Sequence, residues 1–143
     1  MILALLQVNR NNYAAGCRQF QGKWDGALKY YQKVAEDYPD SKYACWAQAA
    51  VGWCYEALRD LNHAPKEAIN PLAEEAYKAV LDKYPDCLMN TQAAYRLAEL
   101  SVEKGDKASA IMYYKKYLEL AKLNDAQAEK IEAKIASLEE EEK

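Results

Sequence analysis

The sequence is short of the residues that punctuate β structure and of those that bind metals. Five glycines and four prolines in 143 residues supply too few turns for the many short strands of a sandwich or barrel. One histidine, His63, and four cysteines, Cys17, Cys45, Cys54 and Cys87, with no Cys-x-x-Cys pair, give no ligand set at zinc spacing, where about four nitrogen or sulfur donors are needed. No glycine-rich phosphate loop occurs, and the formal net charge of −3 gives no bulk attraction to nucleic acid or to an anionic membrane. The apolar run from Met1 to Leu6 is far below the ~20 residues of a spanning helix. It also lacks the basic start and cleavage site of a secretory signal, and reads as the apolar beginning of a helix. Carboxylates are plentiful but not convergent: Glu139 to Glu142 form a solvated run, and Glu74 with Glu75 lies on a helix surface. His63 has no evident serine or cysteine partner. The expectation is a chain that is not an enzyme, takes no cofactor, binds no nucleic acid and inserts no segment into a membrane.

What is present favours helix. Apolar and aromatic residues make up 51% of the chain, with twelve tyrosines alongside abundant Ala, Leu, Lys and Glu, and one domain of this length buries a real core. Cys17, Cys45 and Cys54 fall inside expected helices, where small soft side chains pack. All four cysteines are therefore read as reduced core residues, which points by default to the cytoplasm, or to the periplasm if the chain is part of a longer envelope protein.

The strongest signal is internal repetition. The segment Gly22-Lys23-Trp24-Asp25-Gly26-Ala27-Leu28-Lys29-Tyr30-Tyr31-Gln32-Lys33 aligns with Gly105-Asp106-Lys107-Ala108-Ser109-Ala110-Ile111-Met112-Tyr113-Tyr114-Lys115-Lys116. Between them, Ala73, Tyr77 and Val80 repeat the offsets of Ala27, Tyr31 and Val34. An alanine, an aromatic four residues on and an apolar residue three further share one helical face. The alanine admits a partner helix closely and the ring fills the space beyond it. Tyr38-Pro39-Asp40 and Tyr84-Pro85-Asp86 each stop a helix, because proline cannot continue one. The helices before carry a complement: Val51, Gly52 and Tyr55 in the second unit, with Gly52 the small contact point, Leu97 with Ala98 in the third, and Ala14 with Ala15 in the first.

In these residues the chain resembles the tetratricopeptide repeat family, whose ~34-residue helix–turn–helix unit places a small residue and an aromatic on its first helix, then Ala, aromatic, Ala and Pro on its second. The resemblance implies an all-α fold, a right-handed superhelical solenoid of about three helix pairs with a C-terminal capping helix. The whole chain would form one domain: repeats at about 9–40, 41–87 and 88–122, an insertion near 59–70 in the second, and a capping helix at about 125–140. Some positions depart from the pattern. The large aromatic early in each first helix is replaced by Asn11, Gln48 and Ala94; Tyr117 stands at a usually small position, and Lys122 replaces the closing proline. The stretch Tyr38 to Ala44 looks like units of bacterial envelope-assembly lipoproteins and Tol–Pal-associated proteins.

The element boundaries follow from caps and stops: helices to about Gln21, over Asp25 to Asp37, and over Ser41 to Leu58 with Ser41 capping. A fourth runs from Asn70-Pro71, with Asn capping and Pro at the first helical position, to Lys83. The last three cover Asn90 to Lys104, Lys107 to Leu123, and Asp125 as cap to Glu140. In the last, Ala128, Ile131, Ile135 and Leu138 make one apolar stripe on a charged helix, the pattern of an end cap.

In such stacked pairs the first helices line the concave face. That assigns Tyr13 and Phe20 of the first unit, Trp46, Ala49 and Trp53 of the second, and Gln92, Tyr95, Arg96 and Glu99 of the third to a partner-binding groove, beside Asn12, Gly16, Gln19, Ala50, Glu56 and Glu103. Aromatic and arginine side chains give large contact area at low entropy cost, so the functional expectation is a non-catalytic scaffold for a protein or peptide. The family's clamp for carboxylate termini would need Lys and Asn where Asn12, Gly16 and Ala50 stand, and is not expected. Two other readings remain at this stage. One is a self-association module stacking through its terminal helices, with Leu3, Leu5 and Leu6 making a homo-oligomer contact. The other is an accessory domain of a larger enzyme or envelope-assembly protein.

Overall fold

The computed structural model describes residues 23–61 and 65–141. Among them are six helices and no strand: α1 Trp24–Asp37, α2 Ala44–Asp60, α3 Lys66–Lys83, α4 Met89–Lys104, α5 Lys107–Leu120 and α6 Asp125–Glu141. The chain divides into two compact units, the first ending at Tyr84 and the second beginning at Pro85. The expected helix ending near Gln21 lies outside the described residues.

In the first unit α2 packs between α1 and α3. The repeating triplets do what their spacing implies. Ala27, Tyr31 and Val34 on α1, and Ala73, Tyr77 and Val80 on α3, are all fully buried. The α1 triplet meets Ala47, Ala50, Val51 and Cys54 of α2, with Ala76 of α3 completing the cluster. At Gly52 α2 and α3 approach closely: a Cβ placed there would stand 2.5 Å from two atoms of the Tyr77 ring. That ring is held at its far end, since the Tyr77 hydroxyl donates to the buried Glu56 carboxylate at 2.5 Å.

The described residues of the expected insertion are mostly helical. α2 continues to Asp60, and α3 begins at Lys66 rather than at Asn70-Pro71. Pro65 opens α3, its carbonyl accepting from the N–H groups of Ala68 and Ile69 at 3.1 and 3.2 Å. The added turn is anchored by Ile69, which is buried. Asn70 is not a cap: its Oδ1 accepts from Arg59 Nη1 at 3.0 Å, tying the new turn to the end of α2. Pro71 sits inside the helix, where it withholds an N–H from the carbonyl four residues back. Ser41 does not cap α2 either. The helix starts three residues later, the Ser41 carbonyl accepts from Ala44 N at 3.1 Å, and its buried hydroxyl has no partner among the described residues.

In the second unit α4 and α5 form a hairpin and α6 packs on α5. The turn between α4 and α5 explains its glycine. Gly105 adopts a left-handed φ of 81°, which a Cβ would disfavour. Its N–H donates to Val102 O at 3.0 Å and that of Asp106 to Ser101 O at 2.9 Å, the paired bonds of a Schellman C-cap. Asp106 then caps α5, its Oδ1 accepting from Ser109 N at 3.1 Å. α5 stops at Leu120, before the expected Leu123, as Ala121 turns extended with ψ 134°. The cap of α6 is Asn124, not Asp125. Its Oδ1 accepts from Gln127 N at 2.9 Å, and Gln127 Oε1 accepts from Asn124 N at 3.3 Å, a reciprocal capping box. Ile131 and Ile135 are buried against Ala98, Ala110 and Tyr114, with Leu138 partly covered; Ala128, expected in the same stripe, is half-exposed.

Candidate functional site

Helix α2 is the most deeply buried element of the first unit, and its two tryptophans lie at the margin of that burial. Trp46 and Trp53 are both half-buried and flank the core cluster. The Trp46 ring meets Tyr31 edge-on at 5.2 Å and Trp53 at 6.4 Å, within the range of favourable aromatic pairs. Spaced seven residues apart, they form one rigid row with Tyr31, part core and part surface. Ala49, on the turn between them, is buried at 1% exposure. Ala50 is likewise buried, in the core facing α1, and Glu56 turns to Tyr77 rather than outward.

In the second unit two of the assigned residues, Tyr95 and Glu99, meet at a lysine on the charged helix α6. Gln92 is exposed, while Tyr95, Arg96 and Glu99 are half-buried on α4. Lys134 reaches from α6 to Glu99 Oε1 at 2.9 Å and to the Tyr95 hydroxyl at 3.2 Å. Its ammonium lies 5.3 Å and 5.4 Å from the centroids of the Tyr95 and Tyr114 rings, inside cation–π range. The Tyr114 hydroxyl donates to the same Glu99 oxygen. Tyr117, the departure from the small-residue pattern, lies tilted against Tyr95, with ring centroids 5.2 Å apart and planes at 57°. A cleft of about 550 Å³ opens beside this cluster, walled by Glu99 and Val102 of α4 and by a stripe of α6 from Lys130 to Glu141. Val102 is exposed, which sets an apolar side chain beside the Glu99 carboxylate on that wall.

Burial raises the carboxyl pKa of Glu99, but the Tyr114 hydroxyl and the Lys134 ammonium outweigh it, and the net direction is down. Lys134 moves up: its partial burial opposes the charge, and the bonds to Glu99 and Tyr95 outweigh that. Burial and the Glu99 carboxylate push the Tyr114 hydroxyl well up. The depressed carboxyl stabilises the fold above its unfolded value near ~4.3, and that contribution is lost as pH falls through the lower folded value. The raised ammonium contributes fully below ~10.4 and is lost as pH rises through its folded value. The link is therefore strongest from about pH 5 to 10. Thermal melts of the wild type and Glu99→Gln between pH 3 and 7 test it. The wild type should lose more stability on acidification than the variant, and parallel curves would contradict the linkage.

The cysteines divide. Cys54 is a free, buried thiol whose pKa burial pushes up to about 12, so it is an inert core residue as expected. Cys45 and Cys87 are each engaged in a disulfide, which corrects the reading of both as reduced and removes them as grounds for a reducing compartment. No spacing in the sequence marks either cysteine as oxidised. Tyr13, Phe20, Cys17, His63, the groove residues assigned before Phe20, and Leu3, Leu5 and Leu6 lie outside the described residues. No described helix is long and apolar enough to cross a membrane.

Antiparallel helix pairs closed by an Ala–Tyr contact, with a terminal amphipathic helix, define an all-α helical-repeat protein. Residues 2–41 and 92–129, more than half of the chain, match the tetratricopeptide repeat model, and the chain belongs to the tetratricopeptide repeat family. The span between the two matches contains the lengthened α2–α3 hairpin. Repeats of this family generally mediate protein–protein interactions. No curated protein matches the chain.

Proposed function

We propose that this chain is a non-catalytic scaffold that holds a protein or peptide segment against the faces of its first helices. The observation that carries this reading is the Trp46–Trp53 row. Two large rings are fixed by edge-on contacts to each other and to Tyr31, yet remain half-buried. Rings already ordered in the free protein lose little entropy on binding, which is why aromatic anchors dominate protein interfaces. In the second unit, Tyr95, Arg96 and Glu99 supply an aromatic and charged counterpart on α4, next to an open cleft that Val102 also lines. Family membership supports the general role.

Trp46 is pressed on Tyr31, so truncating it risks the core; Trp53 is the cleaner probe. Trp53→Ala should keep the wild-type helical circular dichroism and weaken capture of the partner by at least tenfold in a quantitative pull-down. Undiminished capture by a folded Trp53→Ala variant would remove α2 from the binding face.

A further inference from the structure

The first unit carries a second concavity. A trough of about 260 Å³ lies over α2, lined by Gln32, Ala35 and Glu36 of α1, by Gln48, Val51 and Tyr55 of α2, and by a stripe of α3 from Leu72 to Lys83. One of its lining residues departs from the repeat pattern in the sequence. Gln48 stands where the repeat pattern has a large aromatic, and an amide fills less space than a ring. Gln48 Nε2 donates to the Ala76 carbonyl at 3.1 Å, and Gln32 Nε2 donates to the Tyr55 hydroxyl at 3.1 Å. One N–H of each amide is thus engaged on the protein, which orients the amide and leaves its oxygen able to accept. Glu36 on one wall and Glu75 on the other are exposed, and neither has an ion-pair partner among the described residues. Among the lining residues the only cation is Lys83, eight residues beyond Glu75 on α3, or about 12 Å along the helix. A floor of acceptors between two unpaired carboxylates is complementary to a cation with several donors. The volume is below the ~300–1,000 Å³ of pockets for whole small molecules and suits one long side chain.

We propose that this trough receives an arginine side chain of a partner protein, its guanidinium set between Glu36 and Glu75 and donating to the Gln32 and Gln48 amide oxygens. The planar five-donor fork of arginine matches such a set of acceptors better than the point charge of lysine. The inference adds a contact to the scaffold reading, on residues distinct from the Trp46–Trp53 row. The test is an NMR titration of the isotope-labelled chain with two alanine-flanked pentapeptides, one with central arginine and one with central citrulline, its neutral isostere. The arginine peptide should shift the side-chain amide signals of Gln32 and Gln48 and bind at least tenfold more tightly than the citrulline peptide. The doubly substituted Glu36→Gln, Glu75→Gln chain, whose changes are at exposed positions, should lose that preference while Trp53-dependent capture of the partner persists. Equal response to both peptides, an unaltered preference in the double variant, or no shift at Gln32 and Gln48 at millimolar peptide would each overturn the assignment.

Discussion

Gly52→Ala should destabilise the protein by an amount near the upper end of the ~1–3 kcal/mol typical of overpacking. The added Cβ would stand 2.5 Å from the Tyr77 ring, about 1 Å inside ordinary carbon contact. The ring has little freedom to retreat, being fully buried and hydrogen-bonded through its hydroxyl to Glu56, itself only 6% exposed. Relief then requires α2 and α3 to separate, which loosens the contacts of Val51 and Ala76 as well. The gain in helix propensity on replacing glycine by alanine, ~1 kcal/mol at most, is too small to offset this. Urea denaturation followed by circular dichroism reads the effect as a lower midpoint. Gly105→Ala is a useful contrast, because its Cβ would meet nothing within 4 Å. It costs ~1–2 kcal/mol through the left-handed backbone alone. An unchanged midpoint for Gly52→Ala would mean that the hairpin is not packed as tightly as the Tyr77 position requires.

Replacing both Ile131 and Ile135 by alanine is expected to release α6 from its unit while leaving the α4–α5 hairpin folded. Each isoleucine is 7% exposed, and each truncation costs ~2–5 kcal/mol at a fully buried site. The remaining ties are weak by comparison. Lys107–Glu141 at 3.1 Å and Lys115–Glu139 at 3.4 Å are solvent-exposed pairs, worth ~0–1 kcal/mol. The Lys134–Glu99 bond is more sheltered but still borders solvent. Hydrogen exchange by mass spectrometry should show protection lost along 125–141 and retained over α4 and α5. Uniform loss across all three helices would show that α6 is integral to the unit rather than a cover for it.

The repeat was legible in sequence because its determinants are local and periodic. Ala27, Tyr31 and Val34, their counterparts around Tyr77, and the Ala110–Tyr114 pair announce a helical face by spacing alone, and all of them are buried. The close approach at Gly52 was readable for the same reason, since a glycine opposite a ring implies contact. Boundaries were less legible. Ser41, Asn70 and Asp125 are all competent caps by residue type, yet α2 starts later than Ser41, Ile69 draws the start of α3 upstream, and Gln127 selects Asn124 through a reciprocal bond. Which of several competent residues caps a helix depends on what the flanking turn must bury or bond.

Side-chain chemistry reached only partway to the candidate sites. Residue type and helical phase put Trp46 and Trp53 on one side of α2, and Tyr95 with Glu99 on one side of α4. No periodicity announces that Lys134, thirty-five residues beyond Glu99, drops its ammonium between the Tyr95 and Tyr114 rings, or that Glu56 turns back to bind Tyr77. Nor does spacing show that Cys45 and Cys87 are oxidised while Cys54 remains a thiol. The sequence by itself determined the helices, their small-against-aromatic pairing and the family, because these rest on contacts repeated at short, regular intervals. Only the tertiary structure decided which polar groups meet, that a trough gathers Gln48, Glu36 and Glu75, and how α6 is fastened. Those arrangements depend on single long-range contacts between side chains, and one such contact leaves no period in the chain.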